Sequence, residues 1–273
     1  MQLEKIFCVI DPTTPNQRSL LRGMGIATGA GASLHMYVCM APPTGLKARL
    51  KEPALVAEAQ RYEAWMEKLA KPAVERGIKV TTEVECHEDW REALAPAAKR
   101  AGADLIIKGS FRRNSLRRQL LKTGDWALLR SAKSPVLFVK RDEVGRLDKI
   151  LASVNVNAKD KKHQALTEEV IAYAKFVAES TGAKLHAVNA YSDSMQFVHP
   201  PDLAKKLGIE RRQAHVGQGA PERVLAEVVE KLGNPLVIIG SVARRGVGGA
   251  IVGNTAERLL DHVDADVLCV VRR

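Results

Sequence analysis

The chain has 273 residues, enough for one large domain or two ordinary ones, and its 46% hydrophobic share supports real cores. Aromatic residues reach only 4%, so Ala, Val, Leu and Ile do the packing, and no stretch attains the roughly 18 apolar residues of a membrane span. The formal charge of +11, from 42 Lys and Arg against 31 Asp and Glu, favours anionic ligands or surfaces.

Met1 to Lys5 lead straight into a strand-like run, without the basic start and apolar centre of a signal peptide, so a soluble cytoplasmic protein is the expectation. The first strand, Lys5-Ile6-Phe7-Cys8-Val9-Ile10-Asp11, ends at an acid. A helix ending at Thr28-Gly29-Ala30-Gly31-Ala32 leads to a second strand, Leu34-His35-Met36-Tyr37-Val38. After a variable stretch from Ala41 to Pro53, Tyr62, Trp65, Met66 and Leu69 fall at helical spacing, which predicts a helix packed on a sheet. A third strand ends at Val84-Glu85-Cys86, and His87, Glu88 and Asp89 are expected to cap the next helix, Trp90 to Arg100. The fourth strand runs from Leu105 into Gly109 and Ser110; a basic stretch with Arg112, Arg113, Arg117, Arg118 and Lys122 precedes a helix carrying Trp126 and a fifth strand, Pro135 to Val139.

The same order then repeats. Lys149 to Asn155 is a first strand, a helix ends at Ser180-Thr181-Gly182-Ala183, and Leu185-His186-Ala187-Val188-Asn189 is a second strand. A second variable stretch, Ser192 to Leu207, is followed by a short third strand near Ala214-His215-Val216 and a helix from Pro221 to Leu232. Leu236 to Ile239 form the fourth strand, a glycine-rich stretch (240–255) follows, and Val267 to Val271 form the fifth. Short apolar strands alternating with helices imply parallel sheets with right-handed crossovers, covered on both faces. The expected fold is therefore α/β, with two tandem flavodoxin-like domains of five parallel strands each. The boundary is placed in the charged stretch Arg141 to Arg146, giving halves 1–143 and 147–273.

Open parallel sheets bind ligands beyond the carboxyl ends of strands where strand order reverses, which brings Asp11 opposite Gly109 and Asn155 opposite Gly240. A glycine-rich loop feeding a helix N-terminus is suited to phosphate, because backbone N–H groups approach an anion closely there. At these residues the chain resembles the universal stress protein family, as a tandem pair over nearly its whole length. The family signature is Gly, two residues, Gly, nine residues, Gly, then Ser or Thr. The second half carries Gly240, Ala243, Gly253 and Asn254, with Thr255 next.

The resemblance implies ATP or a related adenine nucleotide, with Mg, bound in the second half. Its implied contacts are Val154 and Asn155 at the first strand end, Val188 in the second strand, Ile239, Gly240, Ala243, Gly253, Asn254, Thr255 and Ala256. It also implies that the fifth strands meet at a pairing edge. Ala243 in place of the second glycine costs on the order of 1 kcal/mol where φ is positive. Asn155 in place of the usual aspartate loses charge assistance worth about 1 kcal/mol. The first half departs differently: Asp11 and Gly109 are kept, but Arg112 and Lys122 stand at the second and third glycine positions. Arg244 and Arg245 either face solvent or clamp a phosphate.

No nucleophile–base pair, Walker lysine or metal triad stands out, so a regulatory nucleotide-binding protein is expected ahead of an efficient enzyme, with slow ATP hydrolysis the most that is expected. A second class binds another anionic or amphiphilic small ligand in the first half; a third is nucleic-acid association through the basic stretch, although no recognition helix or aromatic platform accompanies the charge. Intramolecular domain pairing and a homodimer are both compatible with the duplication. His35 and His186, at equivalent strand positions, read as packed histidines rather than metal ligands; His199 and His215 with Asp193 or Asp202 are the weaker metal candidates. Cys8, Cys39, Cys86 and Cys269, with no Cys-x-x-Cys pair, read as buried reduced thiols.

Overall fold

In the first repeat the chain leaves three helices through glycines at positive φ, Gly31, Gly77 and Gly102. The computed structural model describes residues 2–42, 53–110, 124–141, 144–233, 235–242, 244–246, 249–251, 256, 258–260 and 263–272. By their contacts, residues 2–109 form one compact unit and residues 110–273 a second.

The first unit contains β1 (Lys5–Val9), α1 (Arg18–Ala30), β2 (Ser33–Met40), α2 (Pro53–Glu75), β3 (Val80–Cys86), α3 (Trp90–Arg100) and β4 (Leu105–Gly109). Its strands lie in the order β3-β2-β1-β4, all parallel, so the order reverses direction at β1. Ile6, Phe7, Cys8, Leu34, Met36 and Ile107 are fully buried, as the apolar runs require. Met66 of α2 is also fully buried, with Trp65 edge-on to Tyr62 at 6.1 Å. Asp89 caps α3 by accepting from the Arg91 N–H at 2.9 Å, and His87 Nδ1 accepts from the Asp89 N–H at 3.0 Å, so these two serve the cap while Glu88 is exposed.

The second unit contains α4 (Gly124–Ser131), β5 (Val136–Val139), β6 (Lys149–Ser153), α5 (Lys161–Thr181), β7 (Lys184–Tyr191), α6 (Pro200–Leu207), β8 (Ala214–Gln218), α7 (Pro221–Leu232), β9 (Leu236–Val242), β10 (Arg244–Gly246), β11 (Gly249–Ile251) and β12 (Val267–Arg272). Five strands, β12-β9-β6-β7-β8, are parallel, and order reverses at β6 as it does at β1. β5 pairs antiparallel with β12, Leu137 opposite Leu268, so the two fifth strands do meet. α1 and α5 both stop at a glycine in the left-handed region, Gly31 at φ +68° and Gly182 at φ +69°, a backbone state that costs a side-chain-bearing residue more. The fold is α/β with tandem repeats of one parallel design.

Two details lie beyond the sequence reading. Within the glycine-rich stretch, residues 244–246 and 249–251 pair antiparallel, with Arg244 opposite Ile251 and Gly246 opposite Gly249. The two-residue interval between the paired glycines is the signal that points to it. Cys8 and Cys269 are buried, and burial pushes both thiols up to about 12, but Cys86 is exposed, at the last position of the outer strand β3.

Candidate functional site

The second repeat opens a cavity of about 360 Å³ beyond the carboxyl ends of β6 and β7 and beside the start of α7. Asn155, Asn157, Lys159, Asp160, His163, Asn189, Tyr191 and Gln196 are among its walls. The loop after β6 is fastened in three places. The Val154 N–H donates to Val188 O at 3.0 Å, continuing the ladder past β6. The Thr167 hydroxyl of α5 donates to Asn155 O at 3.1 Å, and the Val156 N–H donates to Asn189 Oδ1 at 3.1 Å. Asn155 therefore uses its backbone carbonyl for the fold and leaves its exposed side chain for the crevice.

The outer wall is a short turn, Ser194–Gln196, started by Asp193, whose carboxylate accepts from the Met195 N–H at 3.0 Å. Asn157 Nδ2 donates to Gln196 O at 2.7 Å and ties that turn to the β6 loop. Asp160 caps α5: Oδ1 accepts from the His163 N–H at 3.0 Å, and Oδ2 accepts from His163 Nδ1 at 2.7 Å. These bonds, the backbone one foremost, hold the Asp160 carboxyl below its ordinary value.

Of the residues expected to contact a nucleotide, Val154, Val188 and Ile239 are buried and are not among the residues that line the cavity. Asn155 lines the cavity, and Gly240 lies within β9. A Cβ at Gly240 would sit 2.6 Å from Leu166 Cγ, so this glycine is also required by the packing of α5 on β9. Ala256 is buried within a helical segment. Ala243, Gly253, Asn254 and Thr255 lie outside the described residues. Asn189, Asn157 and Gln196 were not singled out from the sequence as contacts; a polar residue closing an apolar strand is the only signal that Asn189 gives.

The corresponding region of the first repeat is arranged differently. Asp11 Oδ1 accepts from the Thr13 N–H at 2.9 Å and the Thr13 hydroxyl at 2.6 Å, closing a local turn. Gln17, 5% exposed, accepts from the Asp11 N–H and donates to Asp11 O and Thr14 O. Ser110, directly after β4, donates to Asp125 Oδ2 at 2.6 Å, and both residues are 3% exposed. Asp125 stands in the first turn of α4, so a carboxylate is already present at the start of that helix. Arg112, Arg113, Arg117, Arg118 and Lys122 lie outside the described residues.

The four residues weighed as metal ligands are dispersed. Asp193 caps the short turn, His199 precedes α6 and meets Phe197 edge-on, Asp202 lies in the first turn of α6, and His215 joins His186. Among the described residues no three His, Cys, Asp or Glu side chains converge as a ligand set. His35 instead bonds Thr81 at 2.8 Å and Glu83 at 3.1 Å.

His186 and His215 stack on adjacent strands, Nδ1 to Nε2 at 3.2 Å. Burial, then the charges of His215, Lys149 and Lys184, push the His186 imidazole down to about 4; burial and Lys231 lower His215. A histidine whose pKa is lower folded than unfolded takes up a proton on unfolding between the two values. Its contribution to stability is therefore complete above about pH 6.5 and falls away as pH drops toward 4. Urea midpoints are expected to decrease from about pH 7 to about pH 4.5, less steeply in His186→Gln. Identical pH slopes in the two proteins would refute this assignment.

The model of the Universal stress protein family matches residues 2–140 and 195–271. Universal stress protein E of Escherichia coli strain K12 is 28% identical, over 98% of this chain and 93% of that protein. The crystal structure of a functionally unknown protein from Pseudomonas aeruginosa PAO1 is also 28% identical, with a TM-score of 0.82 over 98% of this chain and 92% of its own. A universal stress protein from Archaeoglobus fulgidus DSM 4304, 19% identical, shares the fold with a TM-score of 0.75 over 99% and 97% of the two chains.

Proposed function

The chain belongs to the universal stress protein family, and on that premise we propose that it is a stress-response protein binding one ATP, or a related adenine nucleotide, in its second repeat, residues 147–273. The observation that carries this reading is the cavity of about 360 Å³ at the β6 reversal point, where the exposed Asn155 side chain and the buried Asn189 both line the wall. That volume suits the base and ribose of a nucleotide. The phosphates, carried with Mg, then run toward Gly240 and the stretch that ends at Ala256, with Gly253, Asn254 and Thr255 as further contacts.

The first repeat, residues 1–143, is assigned no nucleotide. The buried Asp125 carboxylate bonded to Ser110 stands at the strand–helix junction where the second repeat has Ser241 and Ala256, and it repels a phosphate there. In the second repeat the ligand would bridge the β6 loop and the β9 end, so its binding energy favours whichever arrangement brings these two elements together.

Mass spectrometry of the purified chain, followed by calorimetric titration with MgATP, tests the reading. One adenine nucleotide per chain is the expected result. No carried nucleotide and no binding at millimolar MgATP would overturn it; random DNA binding that weakens with salt, in the absence of ATP binding, would favour the nucleic-acid class instead.

A further inference from the structure

The buried wall of the cavity has a fixed hydrogen-bonding polarity. Asn189, at the sixth position of the eight-residue strand β7, is 1% exposed yet lines the cavity. Its Oδ1 accepts from the Val156 N–H at 3.1 Å. Backbone N–H groups only donate, so this bond determines which end of the amide is oxygen and leaves Nδ2 as the opposite end. Among the described residues that Oδ1 bond is the side chain's one hydrogen bond. Nδ2 has no acceptor among the described residues and keeps a small exposure at the cavity wall, so a ligand atom arriving there can supply one.

We infer that Asn189 is a specificity-determining residue whose Nδ2 donates to an acceptor nitrogen on the ligand's purine ring. The inference rests on the nucleotide reading above and adds the polarity of the contact: the matching ligand atom must be an acceptor, not an amino or protonated group. The other amides of the cavity do not share this role. Asn157 spends its NH₂ on Gln196 O, and Gln196 lies on the exposed outer turn. Asn155 is exposed and free to rotate, so it can meet either polarity. Asn189 alone combines burial, a locked orientation and a cavity-lining position.

The full-length chain is titrated calorimetrically with MgATP and with its 1-deaza, 3-deaza and 7-deaza analogues, each of which replaces one ring acceptor by C–H. One analogue is expected to bind about tenfold more weakly than ATP, the worth of one hydrogen bond with a desolvated partner. In Asn189→Asp the oxygen that serves Val156 remains while the donor becomes an acceptor. ATP is expected to weaken by about tenfold or more there, and the discrimination against that analogue to disappear. ATP binding with no analogue weakened overturns the assignment of Asn189 and leaves the nucleotide reading intact. No ATP binding by the unmodified chain overturns the nucleotide reading itself, and this assignment with it. The analogue series uses only the unmodified protein, so it can overturn the assignment even where Asn189→Asp does not fold, and Asn189→Ser, which removes the amide donor in a smaller side chain, then assigns the weakened contact to this residue by losing the discrimination.

Discussion

Asp266→Ala is expected to lower the free energy of unfolding by about 3 kcal/mol. Asp266 is 2% exposed and precedes β12. Its Oδ1 accepts from the Lys140 N–H at 2.9 Å and the Arg141 N–H at 3.3 Å, and its own carbonyl accepts from the Val237 N–H at 2.9 Å. Lys140, 8% exposed, turns its ammonium onto Leu260 O and Val263 O, the latter at 2.7 Å. One carboxylate and one ammonium thus join the end of β5, the start of β12 and the carbonyls that close the last helical segment. Alanine leaves the buried Lys140 N–H without its acceptor, a loss worth about 1–3 kcal/mol, and removes a second, partly buried bond from Arg141. Asp266→Asn keeps an oxygen for those donors and is expected to lose markedly less. Denaturant midpoints at constant m-value measure both variants; equal losses for Ala and Asn would mean that the carboxylate charge, and not its acceptor role, holds this junction.

The linkage also shows what a reader of the sequence can and cannot extract. The strands are local facts: Ile6 to Val9 or Leu236 to Ile239 are apolar on consecutive positions because both faces are covered, and that pattern is visible without any partner. The duplication is visible too, since Gly109 and Gly240 follow matching apolar runs 131 residues apart. Lys140 and Asp266 are different. They are 126 residues apart, and each alone reads as an ordinary charged residue beside a strand. Their burial comes from the antiparallel meeting of β5 and β12, a tertiary fact. Asp125 misleads in the same way: an acid in a first helical turn reads as a dipole partner facing water, and only the fold shows it buried against Ser110. In the candidate site, Asn155 was legible because it closes the first strand, whereas Asn189 looked like the end of a buried strand until its oxygen was seen to be committed to Val156.

Ala256→Asp is expected to weaken MgATP binding by on the order of a hundredfold or more, since like charges brought together in a desolvated site cost several kcal/mol. The substitution copies the first repeat. Asp125 lies 131 residues before Ala256, as Ser110 lies 131 residues before Ser241, and Ser110 and Ser241 are both 3% exposed. A carboxylate at 256 thus meets a hydroxyl at the position that serves Asp125, so the folded state is expected to survive and the loss to appear in affinity. Ala256→Asn has nearly the same size without the charge and is expected to bind within a few-fold of the unmodified chain. The comparison separates two explanations for the first repeat's different chemistry. If the missing glycines at Arg112 and Lys122 were the whole reason, a carboxylate placed behind the intact Gly240 and Gly253 would change little. If the helix start itself must be free of negative charge to receive phosphate, Ala256→Asp alone silences the second repeat, and restoring glycines at 112 and 122 without removing Asp125 leaves the first repeat silent. ATP affinity unchanged in Ala256→Asp, with an unchanged thermal midpoint, would place the phosphates elsewhere than at this helix start.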